Sequence, residues 1–176
     1  MTERVIISGF GGQGALTIGQ IIAALHLSKG KNVTWMPSYG AEMRGGTANC
    51  SVIASDAVIG SPLITKNADV LILLNNPSVD KFLPAAAPGG SVIINTSIVS
   101  KEIDRSDINL IKIDATNISV ELNNPKVQNM VMLGGYLRLH PEFTDAEIEG
   151  VLMDKFGQKA AKLLPLNMQA IERGKK

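Results

Sequence analysis

The chain has 176 residues, 17 basic and 16 acidic, for a net charge of +1, which supports one ordinary domain spanning residues 1–176 with a single core. Its only basic run is the terminal Arg173-Gly174-Lys175-Lys176, read as a solvated end, so nucleic acid has no electrostatic footprint to bind. The lone cysteine, Cys50, excludes an internal disulfide, a cysteine-based zinc site and an iron–sulfur cluster held by this chain alone, and the absence of any apolar run of ~18 residues or of a signal-like start points to a cytoplasmic setting without a membrane span.

Arg4-Val5-Ile6-Ile7-Ser8 is an apolar strand that runs into Gly9-Phe10-Gly11-Gly12-Gln13-Gly14 and then into a helix whose Ile18, Ile21, Ile22 and Leu25 share one face. A G-x-G-x-x-G turn in that position offers backbone N–H groups and the positive end of a helix to a phosphate. Gly9, Gly11, Gly12, Gln13 and Gly14 are therefore candidate binding residues. In such a turn Gly9 permits the tight bend, Gly11 lets a ligand approach, and Gly14 allows close helix–strand packing. A strand-to-helix turn without a ligand is the plain alternative.

Gly30 closes that helix, and Asn32-Val33-Thr34-Trp35-Met36 completes a β-α-β start with a right-handed crossover. A nicotinamide or flavin dinucleotide site needs an Asp or Glu ~20 residues past the glycines, at the tip of this strand, to accept the ribose hydroxyls. The tip here is Pro37-Ser38-Tyr39, and the first carboxylate is Glu42. This counts against a stand-alone NAD(P) or flavin enzyme and leaves a nucleotide-binding sensor or scaffold as the alternative. Ser38 to Thr47 form a glycine-rich loop holding a tyrosine, a carboxylate and a guanidinium, richer than a mere connection. Tyr39, Glu42, Arg44, Gly45, Gly46 and Thr47 join the candidates. Glu42 and Arg44 either face a ligand near the first loop or pair only with each other.

Asn49 to Ala54 alternate polar and apolar residues and read as a strand suited to an edge, with Ser55-Asp56 turning into a returning Val58-Ile59. Val70-Leu71-Ile72-Leu73-Leu74 is a central buried strand that ends in Asn75-Asn76-Pro77, where Asn76 is placed to cap a short helix. Gly89-Gly90 turn into the strand Ser91–Asn95, Leu110–Asp114 is the next strand, and Ala115–Leu122 and Gln128–Leu139 read as helices. The Gly134-Gly135 pair implies a close approach by another element. Thr144 and Glu147 form a capping box for a helix carrying Ile148, Val151 and Leu152, and a last helix runs through Ala160 to Leu164. Nucleophilic catalysis lacks a base beside Ser or Cys: His26 lies inside the first helix, His140 lies at a helix end, and both read as structural or exposed. Cys50 reads as a small buried apolar residue. No catalytic residue and no metal ligand set emerges. The fold class is α/β, a Rossmann-like three-layer domain with a mostly parallel sheet and a small antiparallel excursion. Apolar residues make up 45% of the chain, either a well-filled core or surface that a partner covers.

Gly9 to Gly14 and Ser38-Tyr39-Gly40-Ala41-Glu42-Met43-Arg44-Gly45-Gly46-Thr47-Ala48-Asn49-Cys50 together resemble the gamma subunit of the 2-oxoacid:ferredoxin oxidoreductases. The resemblance extends through Ile59–Pro62, Ala68–Ile72, Asn75–Phe82 and Asn129–Gly134, and is weakest over Ser97–Ile108 and the last helix. The wording of the second loop is most similar to the 2-oxoglutarate enzyme, with branched-chain oxoacid, pyruvate and indolepyruvate relatives as competitors. The resemblance implies a cytoplasmic hetero-oligomer that converts a 2-oxoacid and coenzyme A into acyl-CoA, carbon dioxide and reduced ferredoxin. It implies thiamine diphosphate and iron–sulfur clusters on alpha, beta and delta-type partner subunits, and none on this chain, which would contribute to the CoA side and to subunit contacts and be inactive alone.

Overall fold

In the computed structural model, residues 1–39 and 47–176 are described. Five runs rich in Val, Ile and Leu, together with the Asn32–Tyr39 segment, make one six-stranded sheet: β1 (Thr2–Phe10), β2 (Asn32–Tyr39), β3 (Thr47–Ser55), β4 (Ala68–Leu73), β5 (Ala86–Asn95) and β6 (Asn109–Ile113), in spatial order β2-β3-β1-β4-β5-β6. β1, β4, β5 and β6 are mutually parallel, while β3 is antiparallel to both of its neighbours. The antiparallel excursion is thus an insertion: β3 sits between β1 and β2 along its whole length, not at an edge, and β2 is the rim strand. Val58 and Ile59 lie in an irregular segment and form no return strand, because β3 already has both neighbours.

The pleat divides the core. Val5, Ile7, Cys50, Val52, Val70, Ile72 and Ile93 face one way with the helices α1 (Ala15–Ser28), α4 (Gln128–Leu137) and α5 (Asp145–Phe156), whereas Ile6, Leu71, Leu73, Val92 and Ile94 face the other way with Val79 of α2 (Asn76–Phe82). A short α3 (Ala115–Glu121) follows β6, and α6 (Gln158–Lys175) packs on the outer side of α4. Covered by the sheet on one side and α6 on the other, α4 is buried from Met130 to Leu137, which explains a helix apolar all round. The glycine pair expected to permit a close approach does so: a β-carbon on Gly134 would lie 2.2 Å from the carbonyl of Ile171, and one on Gly135 would lie 2.4 Å from Ile113.

Two local expectations are corrected. The cap of α2 is Asn75, whose Oδ1 accepts from the N–H of Ser78 at 2.9 Å, with Asn76 and Pro77 already in the first turn. The terminal basic run is no solvated tail: α6 continues to Lys175, Gly174 abuts Val131, and Arg173 and Lys175 pair with Glu121, Asp145 and Glu172. The Thr144–Glu147 capping box forms as its spacing predicts.

Candidate functional site

In open α/β sheets a ligand crevice opens outside the carboxyl ends of the strands, where the chain order reverses. Here that point lies between β1 and β4, and the Gly9–Gly14 segment leaves β1 beside it. Gly9 belongs to β1 itself, where a β-carbon would meet Gln13 Oε1 at 2.7 Å and Leu74 at 3.0 Å; its role is close packing, and the bend falls to Gly11 and Gly12, the latter at φ 98°. Gly14, at φ 81°, is the N-cap of α1 and supplies no side-chain cap, so the first-turn N–H groups stay open to a ligand. A β-carbon there would strike Asn129 of α4 at 2.8 Å, so Gly14 serves helix–helix rather than helix–strand packing. The side chain of Gln13 turns inward: Oε1 accepts from the N–H of Phe10 at 2.6 Å and from Asn75 Nδ2 at 3.1 Å. That amide bridge ties the two loops flanking the switch point together.

Beside the turn lies a cleft of about 210 Å³ walled by Gly12–Gly14, Ile98, Lys126, Gln128 and Asn129. It lies where α1 and the Pro125–Val127 turn leading into α4 both begin, with a lysine at its edge, an arrangement suited to an anion. The second loop springs from the same end of the sheet: Thr47 pairs with Phe10 of β1, and Tyr39 pairs with Ala48. Glu42, Arg44, Gly45 and Gly46 lie outside the described residues. β3 separates β2 from β1, and the tip of β2 is Tyr39, so among the described residues no carboxylate stands at that tip in the position that ribose recognition needs. Cys50 is buried and its Sγ donates to the carbonyl of Ala15 at 3.7 Å; burial pushes the thiol up to about 12, so it is no ready thiolate ligand. Among the described residues, no cluster of His, Cys, Asp and Glu could hold a metal, and no helix is long and apolar enough to cross a membrane.

At the opposite end of the sheet, sequence reasoning missed a polar cluster. Glu3 at the start of β1 accepts from Tyr136 Oη at 2.8 Å, stands 3.0 Å from His26 Nε2, and holds His140 Nε2 at 2.9 Å. The other ring nitrogen of His140 faces Glu142 at 2.9 Å. Burial raises the Glu3 carboxyl, but hydrogen bonds from His140, His26 and Tyr136 outweigh it and hold the group at about 2. Burial likewise lowers His140, and its two carboxylate partners reverse this to a net upward shift. The participants are spread over the chain from residue 3 to residue 142, so no local motif announces them. Its members are partnered by one another across β1, α1 and α4, which makes the cluster an internal tie.

The family model for pyruvate ferredoxin/flavodoxin oxidoreductase matches residues 4–176, and the chain belongs to that family. The ketoisovalerate oxidoreductase subunit VorA of Methanothermobacter thermautotrophicus is 34% identical over 173 residues, covering 97% of this chain and 35% of that protein. The 2-oxoglutarate synthase subunit KorC of Methanocaldococcus jannaschii is 34% identical over 157 residues, covering 88% of this chain and 83% of that subunit. Among solved structures, the 2-oxoglutarate:ferredoxin oxidoreductase of Magnetococcus marinus, with 2-oxoglutarate, coenzyme A and succinyl-CoA bound, superposes with a TM-score of 0.87 at 26% identity, over 99% of this chain and 30% of that one. The chain thus spans about a third of the length of VorA and of the Magnetococcus enzyme chain.

Proposed function

We propose that residues 1–176 act as one gamma-type domain of a cytoplasmic 2-oxoacid:ferredoxin oxidoreductase, with 2-oxoglutarate as the oxoacid. The assembly converts the oxoacid and CoA into acyl-CoA, carbon dioxide and reduced ferredoxin. Thiamine diphosphate and the iron–sulfur clusters sit on alpha, beta and delta-type subunits, and this chain shapes the CoA side. The carrying observation is the match over residues 4–176, in a chain that offers a cleft at a glycine turn. That the same unit fills most of KorC and about a third of VorA supports reading it as a domain that works attached to others. CoA fits the amide-lined cleft chemically, since its phosphates suit the open α1 terminus and Lys126.

Native purification of the tagged chain should recover larger thiamine-binding and ferredoxin-like partners; recovery of the chain alone, unaccompanied, refutes the assembly. For the CoA role, calorimetry on the assembled complex should show Arg44→Ala weakening CoA about tenfold, as expected for loss of one charge-assisted contact; unchanged affinity refutes it. A second reading, a stand-alone nucleotide-binding protein, is tested by titrating the isolated chain with NADH. The interposed β3 and the missing carboxylate at the tip of β2 predict no saturable binding at micromolar concentrations.

A further inference from the structure

Lys155 in the last turn of α5 is half-buried, and its Nζ donates to a neutral acceptor, Oε1 of Gln20 on α1. Among the described residues it forms no ion pair with a carboxylate, whereas Lys29, Lys101 and Lys175 each do. Lys155 and Gln20 border a recess of about 460 Å³ in the groove between α1 and α5, whose apolar wall is Ala24, Leu27 and Val151. We propose that Lys155 is an acylation site, its amine taking the acyl group of an acyl-CoA thioester whose chain lies in this recess. The donor is the thioester that the assembly releases, so its source rests on the functional reading given above.

The missing carboxylate, the burial and the apolar wall act together. An amine attacks a carbonyl only when uncharged, and an ordinary surface lysine is almost wholly ammonium at neutral pH. A carboxylate partner would hold the proton on Nζ, and a neutral amide does so far less. Burial lowers the pKa of Lys155, while the ring of Phe156, 5.6 Å from Nζ, favours the ammonium weakly. Asp154 lines the same recess without pairing with the amine. Leu27 is 63% exposed in that wall, and an acyl chain laid against it would take its apolar surface out of water. In the transfer, Nζ bonds to the thioester carbonyl carbon and the C–S bond breaks with its electron pair on sulfur. The proton lost by nitrogen converts the departing thiolate to CoA thiol, and neither oxidant nor reductant enters. Lys66 and Lys112, exposed and without an ion pair among the described residues, lack the burial and serve as internal references.

The test incubates the assembled complex with acetyl-CoA and follows every lysine by peptide mass spectrometry. At about pH 8, Lys155 should be acetylated about fivefold faster than Lys66 and Lys112, and its rate should reach half-maximum at a lower pH than theirs. Gln20→Glu, a change on the half-exposed face of α1, gives the ammonium a carboxylate partner and should bring the rate down to that of the references. The proposal is overturned if Lys155 reacts no faster than Lys66 and Lys112, or if Gln20→Glu leaves its rate unaltered. It is also overturned if acetic anhydride singles out Lys155 and acetyl-CoA does not, since the amine would then be reactive without a seat for the thioester. A second arm supplies 2-oxoglutarate, CoA and oxidised ferredoxin instead of the thioester. Accumulation of acyl-CoA with Lys155 left unmodified overturns the acylation site and leaves the functional reading standing. Modification by added acetyl-CoA, with no acyl-CoA formed in the second arm, supports the site and overturns the functional reading.

Discussion

A single carboxylate, Glu3, fastens three separate elements. Tyr136 Oη donates to it from α4, His26 approaches from α1 and His140 from the turn after α4. The proton inventory follows from the contacts. His140 faces carboxylates with both nitrogens, so it is held as an imidazolium. His26 Nδ1 is buried without a partner, so the contacts of the ring are made through Nε2, toward Glu3 and Tyr136. Two pH effects with definite sign result. Glu3 titrates at about 2 instead of 4.5, so the stability it contributes is present above pH 4.5 and is lost as the pH falls from there toward 2. His140 is raised above its usual 6.5, so its contribution is full below 6.5 and disappears as the pH climbs through the raised value. Urea unfolding across pH should therefore show a loss at each side, and His140→Asn should abolish the alkaline one; an unchanged alkaline limb contradicts the assignment. Glu3→Leu, which takes one partner each from His26, His140 and Tyr136, should cost about 3 kcal/mol. That the two histidines do structural work was among the readings their places in the chain allowed, but the tie itself was not legible, since its carboxylate stood in a segment that announced nothing but a strand.

At the level of elements, the α4–α6 crossing is set by glycine. A β-carbon on Gly174 would fall 1.8 Å from the carbonyl of Val131, and one on Gly134 would fall 2.2 Å from that of Ile171, so the two backbones are in contact. Gly134→Ala must push the helices apart and should destabilise the chain by about 2 kcal/mol. Gly150 on α5 is the matched opposite: a β-carbon there meets nothing, and Gly150→Ala should stabilise by about 0.5 kcal/mol through helix propensity. Thermal unfolding of the pair gives both signs in one experiment, and a Gly134→Ala protein as stable as wild type refutes the contact. Half of this crossing was legible. Gly134-Gly135 within an apolar helix pattern signals a close neighbour, but Gly174 sits among three cations, and that charge hid its packing. The order of β2 and β3 was concealed for a related reason: alternation shows that a strand has two faces but carries no mark of which strands lie on its flanks.

Across the whole molecule the sheet carries unlike chemistry at its two ends, with the glycine turn and its cleft at the carboxyl ends of the strands and the Glu3 tie at the amino end of β1. The α/β class and most elements could be read from runs of Val, Ile and Leu punctuated by Gly and Pro, because parallel strands buried on both faces need continuous apolar sequence. The cleft could not be read, because its walls, Gly12–Gly14 and Lys126–Asn129, come from segments more than 100 residues apart that meet only when α4 docks beside α1. The Gln13–Asn75 bridge gives that architecture a mechanical property. Gln13 receives the N–H of Phe10, while Asn75 receives the N–H of Ser78 at the start of α2, and α1 and α2 lie on opposite faces of the sheet. One amide pair therefore acts as a rivet through the two layers, so that loosening it on one side is felt on the other. In Gln13→Ala, hydrogen exchange should accelerate at Phe10 and at Ser78 together; acceleration at Phe10 alone would mean that the two layers respond independently.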